Sequence, residues 1–213
     1  TSVPVAALPD DARTRFLQLV YQQTAAAGLV TLTDRSGADR APPVRLQGPA
    51  ASAAGRPSVD DRRLTRFRAA LPYEALDQLP AQARVGPLLG APYRPSDEAP
   101  PVVPVLVPVP GGTLLLGVEL GLGPVGARVA EVAAAGPDAA LVDRRGSTFV
   151  AGPRGLVSAE ALAPLLGTAS IAVHYRHLDA EVRAATAPVP GTDWTVVVAE
   201  PAAAGARAVR GIQ

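Results

Sequence analysis

The chain has 213 residues, a formal net charge of +1 and a hydrophobic fraction of 48%, so it can build a core and is not predicted to be disordered. All 20 basic residues are arginines scattered among 19 acidic residues, which argues against a nucleic-acid-binding surface. Cysteine is absent, which excludes thiol catalysis, thiolate metal sites and disulfides.

The N-terminal segment is predicted to be helical. Asp10 and Asp11 follow a proline and are candidates for the N-cap, where negative charge is favourable. Phe16 and Val20 then recur at helical spacing, and Gly28 is expected to end the helix.

The remainder of the first half predicts a sheet with a helical insertion. A strand at 28–33 ends in a turn at 34–37, where Asp and Gly are favoured. The segment 41–57 is predicted to be a loop or an irregular edge strand, and 58–79 to be helical with a break at Pro72. The elements that follow are a short strand at 85–93, a turn at 94–101, and a β-hairpin formed by 102–109 and 113–120.

Two prolines lie in the first strand of this hairpin. Pro104 and Pro108 are an even number of residues apart, so the positions of their missing N–H groups face the same side of the strand. That side could lack a partner, which predicts an edge strand or bulges.

The second half repeats this order of elements. The predicted elements are a helix at 125–135, paired strands at 139–142 and 147–151 around a turn at 143–146, a helix at 158–166 capped by Ser158, a meander of strands at 171–178, 182–189 and 194–200, and the start of a helix after residue 201.

Two landmarks recur in the same order in both halves. The sequence Asp-Arg-x-Gly ends a strand at 34–37 and again at 143–146. The sequence Pro-Val-Pro-Gly begins a hairpin turn at 108–111 and again at 188–191. The recurrence predicts two related halves of α+β structure.

The sequence offers little material for catalysis or metal binding. His174 and His177 lie in a predicted strand, where residues three apart point to opposite faces, so they are not expected to share a metal ion. No Gly-x-Ser-x-Gly elbow and no glycine-rich phosphate loop is present, and the acidic pairs 10–11 and 60–61 are interpreted as helix caps. We therefore predict neither an enzyme nor a cofactor.

No apolar run reaches the roughly 18–20 residues that a membrane-spanning helix needs. The longest apolar stretch, at 102–122, is interrupted by prolines and glycines. The sequence has neither an initiator Met nor a signal peptide, and we expect it to be a piece of a larger protein.

Taken in order, these motifs resemble the double Cache family of bacterial sensor domains. The most specific segments are Ala140-Leu-Val-Asp-Arg-Arg-Gly146 and Pro188-Val-Pro-Gly-Thr-Asp-Trp-Thr-Val-Val-Val-Ala-Glu-Pro201. The resemblance extends from about Phe16 to Pro201. It implies an N-terminal helix followed by two PAS-like antiparallel-sheet halves, with these boundaries: an N-terminal helix at 1–27, a membrane-distal half at 28–121, a membrane-proximal half at 122–201, and a C-terminal helix start at 202–213.

The resemblance also implies a function. Such domains lie on the periplasmic or extracellular side of the bacterial inner membrane, within histidine kinases, chemoreceptors, diguanylate cyclases or Ser/Thr kinases. They bind a small metabolite in the distal half, and dimerisation through the N-terminal helix is expected. A ligand-driven shift between populations would carry the signal.

For the ligand site, the implied pocket helix contains several arginines. Arg66 is selected because a guanidinium is suited to bidentate capture of a carboxylate, with Tyr73, Tyr93 and Asp97 as neighbours. Amino-acid-binding members carry an aromatic pair after the arginine, which the segment 61–67 lacks, so the ligand stays open between a carboxylate and an amino-acid-like molecule.

Two alternatives fit the same residues. One is an interaction scaffold of the roadblock or profilin-like kind, for which Leu-Val-Asp-x-x-Gly is also natural. The other is a degenerate sensor that serves only for dimerisation. A polar pocket in the distal half favours sensing, whereas a filled apolar one favours the scaffold.

Overall fold

The structure, a computed structural model, describes residues 4–45, 61–79, 86–111, 113–163, 166, 171–177 and 179–203. The first half contains a short 3₁₀ turn at Val5–Ala7, α1 (Asp10–Gln23), β1 (Ala27–Asp34), β2 (Asp39–Val44), α2 (Asp61–Ala70), α3 (Tyr73–Gln78), β3 (Leu88–Leu89), β4 (Val102–Pro108) and β5 (Leu114–Gly121). The second half contains α4 (Gly123–Ala134), β6 (Asp138–Asp143), β7 (Thr148–Ala151), α5 (Ala159–Leu162), β8 (Ile171–His177), β9 (Ala180–Pro188) and β10 (Trp194–Pro201).

The described strands form two five-stranded antiparallel sheets with one topology. Their strand orders are β2-β1-β5-β4-β3 and β7-β6-β10-β9-β8. In each sheet the first two strands form a hairpin and the next three form a meander. The last strand of the meander pairs with the first strand of the hairpin. The predicted internal repeat is therefore confirmed.

The Asp-Arg-x-Gly landmarks form the same turn in both sheets. The Oδ1 atom of Asp34 accepts from Ser36 N at 2.8 Å and Ala38 N at 3.1 Å. The Oδ1 atom of Asp143 accepts from Arg145 N at 2.9 Å and Ser147 N at 2.8 Å. In each turn the glycine takes a positive φ, 83° at Gly37 and 84° at Gly146, which a residue with a Cβ rarely adopts.

The chain divides into two compact units, Thr1–Leu122 and Gly123–Gln213, called unit 1 and unit 2 below. In unit 1, the side of the sheet facing α2 and α3 holds a buried apolar cluster: Leu29, Phe67, Leu71, Leu76, Leu106 and Leu115. This side is called the inner face of unit 1. Helix α1 packs against β1 and β2 and buries Leu17 completely.

Unit 2 has its own apolar core. Its buried members come from the sheet and from the segment after β7: Ala140, Val142, Leu162, Leu166, Val182, Ala184, Val197 and Ala199. Helix α4 packs against β6 and β7. None of the helices in the described part of the chain is long and apolar enough to cross a membrane.

The start of α1 differs from the expectation for its cap. Pro9 is the N-cap residue, and no side chain caps the helix. Asp10 and Asp11 lie one and two positions later, in the first turn, where they form ion pairs with Arg13 and Arg15. Their charge still favours the helix start, but the cap assignment was wrong. The side chains of 60 and 61 lie outside the described residues.

Strand β4 is not the edge strand that its prolines suggest. It pairs with β5 from Val102 to Pro108 in regular register. Pro104 O accepts from Gly90 N at 2.8 Å on the opposite side, towards β3, so the missing N–H also faces that side. Because the missing N–H faces β3, the prolines remove no bond between β4 and β5. The loss on the β3 side is limited, since β3 pairs over only two residues.

Other boundaries also differ from the expectation: Gly28 does not end α1, which stops at Gln23, and the helix predicted at 158–166 is described as α5 over four residues. The predicted strand at 85–93 shortens to β3, and the predicted break at Pro72 separates α2 from α3. Ser158 caps α5, its Oγ accepting from Ala161 N at 3.3 Å. Gly167 and the tail after residue 203 lie outside the described residues.

Candidate ligand-binding site

A charged cluster lies on the inner face of unit 1. The carboxylate of Glu119 is fully buried and receives both Nε and Nη2 of Arg63, the Nε contact to Oε2 being 3.3 Å. The hydroxyl of Tyr93 donates to the same Oε2 atom. A buried charge costs several kcal/mol unless it is paired and hydrogen-bonded, and here three donors satisfy the carboxylate.

The sheet fixes the position of Glu119. It belongs to β5, the central strand, and pairs with Leu29 of β1 and Pro104 of β4. Gly28 provides the space for the ion pair: a Cβ there would overlap Glu119 Oε1 and would lie 2.6 Å from Arg63 Nη2. The cluster therefore depends on a glycine at this position.

Helix α2 delivers Arg63 to the sheet. Phe67, one helical turn later, is fully buried in the apolar cluster and keeps this side of the helix against the sheet. Gly117 lets the helix approach, because a Cβ there would lie 3.2 Å from both Phe67 and Leu71.

Electrostatics fix the protonation states of the cluster. Burial lowers the pKa of the Arg63 guanidinium, but the hydrogen bond and the negative charge of Glu119 outweigh burial, so the net pKa is raised. Burial, and then the hydrogen bond to Glu119, raise the pKa of Tyr93. Arg63 is therefore a cation and Tyr93 a hydroxyl donor at neutral pH.

Further polar side chains lie on the inner face. The Tyr73 hydroxyl lies 3.1 Å from Thr33 Oγ1. Thr31, which pairs with Gly117, is fully buried, and its Oγ1 atom has no hydrogen-bond partner among the described residues. The inner face thus combines an apolar cluster with a line of polar groups.

The residues predicted from sequence fall in two places. Tyr73 and Tyr93 are half-buried and pack against the apolar cluster of the inner face. Arg66 is exposed, and its Nη1 atom donates to Pro95 O at 2.9 Å. Asp97 is exposed in the same loop. The structure brings Arg66 to the loop that carries Asp97, whereas Arg63 is the arginine that reaches the buried acid.

Sequence reasoning did not select Arg63 and Glu119, although both leave a signal. Arg63 precedes Phe67 by four residues and so shares its helix face, whereas Arg66 is turned about 100° away. Glu119 is the acid in the otherwise apolar strand Leu114–Gly121. An acid inside such a strand indicates a buried partner of opposite charge.

Unit 2 also buries an acid at the corresponding place. When the repeated turns and hairpins are superposed along the sequence, Leu29 corresponds to Asp138 and Glu119 corresponds to Ala199. Leu29 and Glu119 are cross-strand neighbours in unit 1, and Asp138 and Ala199 are cross-strand neighbours in unit 2. Each unit thus has one buried acid in this pair, on opposite strands. Where unit 1 has Glu119, unit 2 has a fully buried alanine of its apolar core.

A backbone N–H satisfies one carboxylate oxygen of the acid in unit 2, whereas its Oδ1 atom is buried without a hydrogen-bond partner among the described residues. Asp138 Oδ2 accepts from Leu156 N at 2.8 Å, and the Tyr175 hydroxyl donates to Leu156 O at 2.7 Å. Burial, together with the charge of Asp138, raises the pKa of Tyr175. Asp138 therefore ties the segment after β7 to the sheet.

The two histidines lie on β8 of unit 2. His174 is exposed, and His177 Nε2 lies 3.1 Å from Gly155 O. Within the described ranges, no group of three or more His, Asp or Glu side chains converges to hold a metal ion.

No protein-family model and no curated protein matches the chain, but solved structures do. The ligand-binding domain of the amino acid chemoreceptor PctB of Pseudomonas aeruginosa PAO1, in complex with L-Arg, is 16% identical with a TM-score of 0.58, covering 94% of this chain and 82% of that chain. The sensory domain of the Campylobacter jejuni chemoreceptor Tlp3 (CcmL) is 16% identical with a TM-score of 0.59, covering 93% and 80%. The ligand-binding domain of Mlp24 with asparagine is 14% identical with a TM-score of 0.51, covering 92% and 78%.

These similarities confirm the predicted fold, an N-terminal helix followed by two PAS-like sheets in the double Cache arrangement. The matched structures are sensory or ligand-binding domains rather than enzymes. The identities are low, so the likeness is one of fold.

Proposed function

We propose that this chain is an extracytoplasmic sensor domain that binds a small metabolite on the inner face of unit 1. The observation that carries the proposal is the buried cluster of Arg63, Tyr93 and Glu119, placed in a fold whose solved members bind small molecules. Ligand pockets combine apolar walls with a few fixed polar groups, and the inner face has both.

Unit 1 is the better candidate of the two units for ligand binding. Its buried acid is neutralised by side chains that can rearrange, whereas Asp138 of unit 2 is held by a backbone N–H. Position 199 of unit 2 is an alanine within an apolar core. We therefore assign the ligand to unit 1, with Arg66, Tyr73 and Asp97 as its proposed surroundings.

The chain's place in the cell follows from the same proposal. As an input domain it would lie on the outer side of the bacterial inner membrane, in a membrane-anchored parent protein such as a chemoreceptor or histidine kinase. A homodimer through the N-terminal helix is the proposed assembly. The proposed role is recognition without catalysis and without a cofactor.

A second candidate function is an interaction or dimerisation scaffold. The observation in its favour is the apolar cluster beneath α2 and α3, which includes the fully buried Phe67, Leu106 and Leu29. A scaffold needs such a filled core and no polar pocket. The two candidates differ in whether any small molecule stabilises unit 1.

A thermal-shift screen of amino acids, amines and carboxylates tests the proposed function. A ligand at one hundred times its Kd stabilises the folded state by about 2.7 kcal/mol, which raises Tm measurably. The proposal expects at least one compound to do so, with the shift lost in Glu119→Gln and kept in His174→Ala, the matched control in unit 2. A screen with no shifts would favour the scaffold, and equal shifts in all three proteins would mean that the ligand does not bind at Glu119.

The role predicted for Arg66 needs its own variant. If Arg66 captures a carboxylate of the ligand, Arg66→Ala should weaken binding about tenfold or more, because a charged hydrogen bond contributes about 1.5–3 kcal/mol. Titration calorimetry with the screened ligand measures this. An unchanged Kd in Arg66→Ala would remove Arg66 from the site.

A further inference from the structure

The anion of the unit 1 cluster belongs to the sheet, and its cation belongs to a helix. Glu119 lies on the central strand, and Tyr93 is tied to β4 by reciprocal backbone bonds with Val102 of 3.0 and 2.9 Å. Arg63 reaches them from α2 through a long side chain with several rotatable bonds. Glu119 and Tyr93 are therefore fixed in position, whereas the Arg63 side chain is adjustable.

The partners also differ in their access to water. The side chain of Glu119 is 0% exposed, whereas that of Arg63 is 19% exposed. A carboxylate buried so completely needs a cation or hydrogen-bond donors beside it, and here the cation is Arg63. The guanidinium can leave towards solvent, provided that another cation takes its place.

We propose that Glu119 and Tyr93 form a cation-binding subsite, that Arg63 occupies this subsite within the free protein, and that a ligand bearing a guanidinium or primary ammonium group displaces Arg63 on binding. The inference rests on the proposed function, because it specifies the ligand class and the regulation of the same site. Arg63 then acts as an internal competitor and not as the residue that captures a carboxylate.

Charge balance distinguishes this exchange from capture of an anion. Exchange of one cation for another leaves the buried site neutral. Entry of a lone carboxylate would draw Arg63 away and leave Glu119 buried beside a second negative charge. In unit 2 the Oδ2 atom of Asp138 takes part in no such exchange, because its donor is the backbone N–H of Leu156.

Titration calorimetry with methylguanidinium chloride tests the inference on the full chain. Removal of an internal competitor raises the apparent affinity, so Arg63→Ala should bind methylguanidinium about tenfold or more tightly than the unmodified protein. Glu119→Gln should not bind it, and tetramethylammonium, which has the same charge but no hydrogen-bond donor, should bind to none of the proteins. Equal, weaker or absent binding in Arg63→Ala overturns the inference.

A second measurement does not depend on the stability of Arg63→Ala. In the unmodified protein, the ¹⁵Nε–H signal of Arg63, assigned by its loss in Arg63→Lys, should move towards those of exposed arginines such as Arg15 when methylguanidinium is added. A signal that stays unchanged when calorimetry shows saturation overturns the inference. If calorimetry detects no binding, a signal that stays unchanged up to about 20 mM methylguanidinium overturns it as well.

The two proposals can fail separately. If the metabolite screen yields a unit 1 ligand whose binding is lost in Arg63→Ala, the inference fails and the proposed function stands. If neither the screen nor methylguanidinium gives binding, both fail.

Discussion

At Glu119 the protein buries a carboxylate completely. The cost of desolvating that charge is offset by a bidentate arginine and a tyrosine hydroxyl. Such a pair is weak evidence for stability as a whole, but it is sensitive to the loss of either partner.

Removal of the cation alone should therefore be costly. Arg63→Ala is expected to lower the free energy of unfolding by about 3–5 kcal/mol, because it leaves a buried charge without a partner. Urea denaturation measures this, and Arg66→Ala, an exposed arginine on the same helix, should change it by less than about 0.5 kcal/mol. Similar losses in both variants would mean that the ion pair does not form.

Gly28 should be sensitive for a steric reason. Gly28→Ala places a Cβ against Glu119 Oε1 and 2.6 Å from Arg63 Nη2, and is expected to destabilise the protein by about 1–3 kcal/mol. Gly126→Ala is the matched control, since its Cβ would meet nothing within 4 Å in α4 and should stabilise the helix by about 0.5–1 kcal/mol. A neutral effect of Gly28→Ala would contradict the geometry of the cluster.

The sequence could predict only part of this site. Tyr93 was selected, but Arg66 was preferred to Arg63, because four arginines lie close together on one helix and composition does not rank them. The position of Phe67 does distinguish them, because Arg63 lies on the same helix face as Phe67 and Arg66 does not. Glu119 lies 56 residues from Arg63, so that their pairing depends on how the helix is laid on the sheet.

At the scale of elements, the turn that begins at Asp34 has a measurable electrostatic signature. The hydroxyl of Ser36, at 2.6 Å, contributes most to lowering the pKa of Asp34 from 3.8 to about 2, and Arg40 and backbone N–H groups add to it. A carboxyl whose pKa is depressed in the folded state stabilises that state above its unfolded pKa, and the contribution is lost as pH falls.

Asp34→Asn should remove this dependence on pH. The stability difference between the unmodified protein and Asp34→Asn is expected to be constant above about pH 4 and to fall as the pH decreases towards 2. Chemical denaturation across this range gives the difference. A difference that does not vary with pH would show that the turn bonds do not depend on the charge of Asp34.

The fully buried side chain of Phe67 packs α2 against the apolar cluster of the sheet. Phe67→Ala should lower the free energy of unfolding by about 3–5 kcal/mol, because a large buried side chain leaves a cavity. Leu19 on α1 is 55% exposed, so Leu19→Ala should cost far less. Equal costs would mean that α2 does not pack through Phe67.

The elements themselves were largely predictable. Short apolar runs, alternating with Thr at 28–33, placed the strands, and the turn residues placed their ends, because both are local properties. The cap of α1 and the place of β4 in the sheet were not, since they depend on backbone geometry and on a neighbour as short as β3.

At the scale of the molecule, two copies of one topology have diverged at one cross-strand pair. Unit 1 places its acid on β5 beside an arginine, and unit 2 places its acid on β6 beside a backbone N–H. The repeat could be predicted from its turns. The divergence could not, because the register that pairs Leu29 with Glu119 and Asp138 with Ala199 is visible only in the folded sheets.

The most direct test of the central claim is hydrogen exchange of the whole chain with and without a saturating ligand from the screen. The account predicts slower exchange in β1, β5 and α2 of unit 1, no change in the sheet of unit 2, and no ligand-dependent change in Glu119→Gln. Protection confined to unit 2, or unchanged protection of unit 1 in Glu119→Gln, would contradict it.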